Sequence, residues 1–166
     1  MIRALGFVDT SAFTAMLVVK YRDRAEQGIL PLRSVKEGEA DPSDLPILKE
    51  WKGARALLTR MRAAAAPLMD GVTPELGKVW VETLPPMSGT PWALEDDDYA
   101  AGHVRTRTCL IPAPDAWSIC GGSSAILGVG VVNVLDLRLL ASEVNHSQHA
   151  RTHLIVDFKR PVDDGA

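Results

Sequence analysis

The sequence predicts a mainly β fold, a barrel or jelly roll behind a helical N-terminal part, and three observations carry that expectation. Helical periodicity is concentrated before Gly71, and beyond it short strand-like runs recur at intervals of roughly 8 to 12 residues. Gly121, Gly122, Gly128 and Gly130 punctuate those runs as turn residues do. The last run, Arg151 to Lys159 (RTHLIVDFK), sets Arg151, His153, Ile155 and Asp157 on one face against Thr152, Leu154, Val156 and Phe158 on the other. That is the period of two that a strand imposes on its side chains. One face is apolar throughout, and the other holds an arginine and a histidine within reach of one ligand.

A chain of 166 residues fits a single domain, 1–166, able to bury about two thirds of the surface its unfolded form exposes. Its helical part is expected over about 9–70 and its β core over about 76–160. Hydrophobic content of 46%, charged content of 23% and a net charge of -3 describe an ordinary globular chain. The 18 Lys and Arg are outnumbered by 21 Asp and Glu, and no basic run is interleaved with aromatics, which argues against nucleic acid as a partner. Cys109 and Cys120 are too few for a disulfide framework and form no CxxC pair. No run approaches the roughly 18 apolar residues of a membrane span, and MIRALGFVDT lacks a secretory h-region. A cytoplasmic protein is expected.

In chain order, residues 9–27 offer Asp9, Thr10 and Ser11 as N-caps and then Phe13, Met16, Leu17 and Tyr21 at helical spacing, with Val18 and Val19 favouring a strand instead. Ile29 to Val35 reads as an edge strand because Pro31 cannot donate to a ladder. Glu37 to Pro46 reads as a solvated loop. Lys52 to Met69 has the best helical pattern, with Leu57, Leu58, Met61 and Ala65 on one side, Arg55, Arg60 and Arg62 on a wet face, and Pro67 and Gly71 at its end. Leu76 to Leu84 alternates Val79, Val81 and Thr83 against Trp80, Glu82 and Leu84. Val104 to Ile111 alternates Arg105, Arg107 and Cys109 against Val104, Thr106, Thr108 and Leu110. Trp117 to Cys120, Ala125 to Leu127 and Val131 to Leu135 are further strand candidates, and Ser142 to Ala150 reads as a polar turn. Trp80, Trp92 and Trp117 suit a core or an interface equally.

The order of these segments from about Gly28 to Pro161 resembles the aspartyl/asparaginyl β-hydroxylase family. GILPLR (Gly28 to Arg33) is similar to an early family strand, KVWVETLPP (Lys78 to Pro86) to the strand leading to the first iron ligand, and VRTRTCLIP (Val104 to Pro112) to an Arg-x-His strand. GVVNVLDLRLLASEVNHSQHARTHLIVDF (Gly130 to Phe158) resembles without gaps the family's Gly-Glu-x-Trp strand, Asn-containing turn and closing Arg-x-His-Leu strand, with Asn145 and Arg151 six apart. The resemblance implies a double-stranded β-helix, a cupin-like jelly roll, and in its working members iron(II) and 2-oxoglutarate.

The same resemblance places the family's iron-binding histidines at Ala93 or Leu94 and at Ala141, none of which is a ligand. Iron(II) of this kind takes imidazole nitrogens in a facial set with open positions. The remaining donors nearby are Glu95, Asp96, Asp97, Asp98, Glu143 and His146, and carboxylates alone suit magnesium or calcium better. The four acids in a row also fit a plain solvated loop. His103, His146, His149 and His153 match no metal motif, and His146 and His149 read as surface residues. Neither iron nor 2-oxoglutarate is therefore expected as a cofactor, and both return only if unusual ligands sustain a working hydroxylase of an amino acid or peptide.

Arg151 aligns with the arginine that grips the distal carboxylate of 2-oxoglutarate, and Arg107 with a second arginine on the neighbouring strand. Two guanidinium groups facing a barrel interior make an anion clamp, so Arg107, Arg151, His153 and Asn145 are the candidate ligand-binding residues for a small carboxylate. The opposing possibility is that Arg107 or Arg151 pairs with Asp136, Glu143 or Asp157. Cys109 and His153 form a candidate catalytic pair if the arginines lower the thiol pKa, and Cys109 is otherwise a small buried hydrophobe. The leading expectation is a protein without iron chemistry, acting as a binding or accessory protein with a basic pocket or as an enzyme of metal-independent isomerisation or cyclisation; the alternatives are the working hydroxylase with unusual ligands and a structural domain with a filled barrel.

Overall fold

The structure, a computed structural model, describes residues 1–26, 28–34, 42–51, 53–69, 72–95, 98–136 and 138–161. It opens on a strand, β1 (Ile2–Phe7), which the sequence pattern does not announce, followed by helices α1 (Ser11–Lys20) and α2 (Arg22–Ala25) and strands β2 (Ile29–Ser34) and β3 (Ser43–Asp44). Then come α3 (Pro46–Glu50), α4 (Ala54–Ala65) with a 3-10 turn over Ala66–Met69, β4 (Glu75–Leu84), β5 (Ser88–Gly89) and α5 (Asp98–Ala101). The remainder is strand: β6 (His103–Ile111), β7 (Ala116–Cys120), β8 (Ser123–Ala125), β9 (Val131–Leu135), β10 (Ala141–Asn145) and β11 (Arg151–Lys159). These build a seven-stranded sheet in the order β1-β9-β6-β11-β4-β2-β3 and a four-stranded sheet in the order β5-β10-β7-β8, the double-stranded β-helix expected.

Segregation of the two faces of the large sheet follows from the alternation read in the sequence. Leu154, Val156 and Phe158 of β11, Val79 and Val81 of β4, and Val104 and Leu110 of β6 join the helices in one apolar core. Their alternates face the small sheet. Antiparallel pairing sets Glu82, His153 and Cys109 in one row across β4, β11 and β6, and Arg105 opposite Asp157 in another.

Helix α1 prevails over a strand at Val18 and Val19 because Phe13, Leu17 and Tyr21 form a stripe that stacks on Trp51, at 4.1 Å for Phe13 and 5.0 Å for Tyr21. Val19, off that stripe, is left 86% exposed. In α4, Leu57, Leu58, Met61 and Ala65 are buried, while Arg55 and Arg60 are exposed and Arg62 half-buried.

Three expectations need correcting. β2 is next to the edge, since β3 pairs with Arg33 and Ser34, and Pro31 sits where β3 does not reach. The 37–46 loop contributes β3 at Ser43–Asp44, and Pro46 starts α3, where its missing N–H costs nothing. Ser142 to Asn145 is strand β10, so the polar turn is confined to the residues after it. Strands β1, β2 and β3 interleave with the N-terminal helices, β1 pairing with β9 and β2 with β4. Val35, Glu37, Lys52 and Gly71 lie outside the described residues. Among the described residues no helix is long and apolar enough to cross a membrane.

Candidate functional site

Between the two sheets lies a cleft of about 540 Å³ whose lining brings together the residues on which the resemblance bears. β6 contributes Arg105 and Arg107, β4 contributes Trp80 and Glu82, and β10 contributes Ala141 and Glu143. Arg151 and His153 do not line it. They stand beneath its floor, with Arg151 3% and His153 0% exposed.

Backbone pairing joins two of the three positions at which the resemblance expects iron histidines. Ala93 and Ala141 exchange both hydrogen bonds, each N–H donating to the other's carbonyl at 2.9 Å. Leu94 is 49% exposed and takes no part in that bridge. Two methyl groups therefore face each other at the rim of the cleft, where a facial iron site needs nitrogen donors. Glu95 is committed to an ion pair with Arg105, Glu143 is held by arginines, and His146 lies exposed after β10. Asp96 and Asp97 lie outside the described residues, and Asp98 opens α5. Among the described residues no group of three or more His, Cys, Asp or Glu side chains is arranged to hold a metal. Among the described residues the donor set does not fit iron.

The two-arginine clamp exists, with a protein carboxylate in its grip. Glu143, reaching across from the small sheet, accepts from Arg107 Nη1 through Oε1 and from Arg151 Nη2 through Oε2, and Oε2 also accepts from Ser118 Oγ at 3.0 Å. Of the three acids weighed as internal partners, Glu143 serves both arginines, Asp136 pairs with Arg138, and Asp157 pairs with Arg105. Glu82 Oε2 lies 3.4 Å from Arg107 Nη2, close enough to attract but with no hydrogen bond formed. Burial pushes Arg151 below the usual arginine range, and Arg107 adds to that while Glu143 opposes it.

Donors remain unspent on this floor. Arg107 Nε, Arg151 Nε and Nη1, and both ring nitrogens of His153 are buried without a protein hydrogen-bond partner. A buried donor left unpaired costs about 1–3 kcal/mol. His153 is driven well below its ordinary pKa by burial first, then by the charges of Arg151 and Arg107, so it is neutral in the folded protein. The unfolded chain, with a histidine near 6.5, binds the extra proton as pH falls below that value and the folded one does not. Stability is therefore expected to fall below about pH 6.5, by up to about 1.4 kcal/mol per pH unit from this group. Urea titrations between pH 5 and 7 check this, and His153→Gln should flatten the slope. An unchanged slope would assign it elsewhere.

The candidate catalytic pair is adjacent, since Cys109 and His153 are cross-strand neighbours. The expected thiol activation reverses, however: burial pushes the Cys109 thiol up to about 11, and Arg151 only partly offsets it. A thiol held protonated is a poor nucleophile. Asn145 is a turn staple. Its Nδ2 donates to the carbonyls of Leu84, Pro85 and His149 at 3.2, 2.9 and 2.9 Å, and its Oδ1 accepts from Ser147 N and Oγ at 3.0 and 2.8 Å. That leaves the side chain no capacity for a ligand.

Sequence reasoning missed a second ion pair at the site. Arg105 donates to Asp157 through Nε at 2.8 Å and Nη2 at 3.0 Å, pairs with Glu95, and lies over Trp80 at 4.7 Å. Burial works against the Arg105 charge, but Asp157 overrides it and holds the guanidinium more firmly protonated than usual. The signal was present: Asp157 shares the Arg151 face of β11, Arg105 the Arg107 face of β6, and an antiparallel register sets them opposite.

No family model matches the chain, and no curated protein matches it in sequence. Solved structures do. A non-heme monooxygenase, ThoJ in its nickel complex, matches with a TM-score of 0.69 and 13% identity over 96% of this chain and 73% of its own. The non-heme alpha ketoglutarate dependent epimerase SnoN from nogalamycin biosynthesis matches at 0.62 and 13% over 92% and 70%. The collagen prolyl hydroxylase of Paramecium Bursaria Chlorella virus-1, complexed with 2-oxoglutarate, matches at 0.62 and 9% over 96% of both chains. At these identities the likeness is one of fold, and the chain shares the jelly roll of these three structures.

Proposed function

We propose that the chain is an oxygenase-fold protein that has given up iron chemistry and acts as a binding or accessory protein for a small carboxylate-bearing molecule. The observation that supports this best is the set of unspent donors on Arg107, Arg151 and His153 under an open cleft. Buried guanidinium groups with N–H donors that no protein acceptor takes favour an oxyanion over a neutral group. Metal-independent isomerisation or cyclisation ranks behind binding, because the Cys109 thiol is held protonated and His153 is sealed beneath the floor.

Isothermal titration of metal-free protein with acetate, succinate and 2-oxoglutarate tests the proposal. A dicarboxylate is expected to bind, and Arg151→Met should weaken it about tenfold or more, the worth of one charge-assisted hydrogen bond. Absence of binding up to millimolar concentrations would remove it. Release of succinate from 2-oxoglutarate with iron(II) added would instead revive the active hydroxylase.

A further inference from the structure

We infer that Glu143 is a built-in carboxylate ligand of the Arg107–Arg151 site and the residue that decides what the cleft accepts. Its two oxygens are met by donors from both sheets, one guanidinium on Oε1 and one guanidinium plus the Ser118 hydroxyl on Oε2. That is the hydrogen-bonding pattern of a bound carboxylate, supplied here by a tethered one. The tether is firm. Glu143 N donates to Thr90 Oγ1 at 2.9 Å and its carbonyl accepts from Thr90 N at 2.9 Å, so only the side chain has freedom to leave.

Glu143 lines the cleft and Arg151, which it holds, does not, so a free carboxylate reaches Arg151 by taking the place of the Glu143 carboxylate. Three unspent donors, Arg107 Nε and Arg151 Nε and Nη1, mean that the seat offers a replacement more hydrogen bonds than Glu143 uses. Charge works the other way. With Glu82 already 3.4 Å from Arg107, a ligand entering beside a displaced Glu143 would set three carboxylates around two guanidinium groups. Glu143 thus discriminates against weakly held monocarboxylates and admits an anion only if other contacts in the cleft compensate. The identity of the native ligand rests on the binding role proposed above, whereas the seat itself does not.

The probes are acetate and propionate, with thermal unfolding of Glu143→Ala as the readout. Glu143→Ala is expected to unfold below the parent temperature and to be restored by propionate in a concentration-dependent way. The parent, and Glu143→Ala combined with Arg151→Met, should not respond. A folded Glu143→Ala that ignores carboxylates, or a parent that responds equally, overturns the inference. Should Glu143→Ala fail to fold, Glu143→Gln keeps the length and should bind succinate at least about tenfold more tightly than the parent. Equal or weaker binding overturns it. A parent that binds no dicarboxylate beside a rescued Glu143→Ala would leave the seat standing and remove the binding role. A parent that binds one with affinity unchanged in Glu143→Gln would do the reverse.

Discussion

Replacing Arg105 with methionine is expected to lower stability by about 3–5 kcal/mol, the largest single loss at this site. Methionine keeps much of the hydrophobic contact with Trp80 but strands Asp157, which is 0% exposed and receives both bonds of the guanidinium fork. An uncompensated carboxylate in a dry interior is what makes breaking a buried pair so costly. For a chain of this size the loss corresponds to roughly 6–20 °C in Tm, at about 2–4 °C per kcal/mol. Replacing both partners, as in Arg105→Met with Asp157→Leu, should recover most of it, since an apolar pair of similar volume carries no desolvation penalty. A Tm for Arg105→Met within about 2 °C of the parent would show that water or the Tyr99 hydroxyl already satisfies Asp157.

The second large effect is expected from Ala93→His combined with Ala141→His. These residues form a doubly hydrogen-bonded antiparallel pair, a geometry that sets the Cα atoms about 5.5 Å apart with side chains on one face. Two imidazoles there can share one ion, so the double variant should bind Ni(II) or Zn(II) with a Kd on the order of micromolar. The parent, with methyl groups in those places, is expected to bind at least about a thousandfold more weakly, a difference of about 4 kcal/mol. Titration calorimetry with each metal decides it. A double variant no tighter than the parent would mean that the two positions do not share a face of the cleft.

Both experiments depend on register, which is where sequence and structure divide. The face of β11 carrying Arg151, His153 and Asp157, and the opposite face carrying Leu154, Val156 and Phe158, are legible in the sequence because a strand alternates with period two. So was the buried stripe of α4, through the period of a helix. β10 escaped notice because ASEVN has no apolar alternation. Its inner positions carry Ala141, Glu143 and Asn145, small or polar groups that suit a site and not a core. β1 escaped for a similar reason: it is an edge strand, largely exposed and paired only with β9.

By itself, then, the sequence determined the jelly-roll class and the face on which Arg107 and Arg151 stand. Those are local matters of residue type and period. Only the tertiary structure decided which acid answers each arginine. Glu143 lies 36 residues from Arg107 and Asp157 lies 52 from Arg105, and such pairs follow from how two sheets close on each other, which no local pattern encodes. The tertiary structure also decided the thiol of Cys109, where burial outweighs the neighbouring Arg151, because desolvation depends on everything packed around a group and not on its neighbours in sequence.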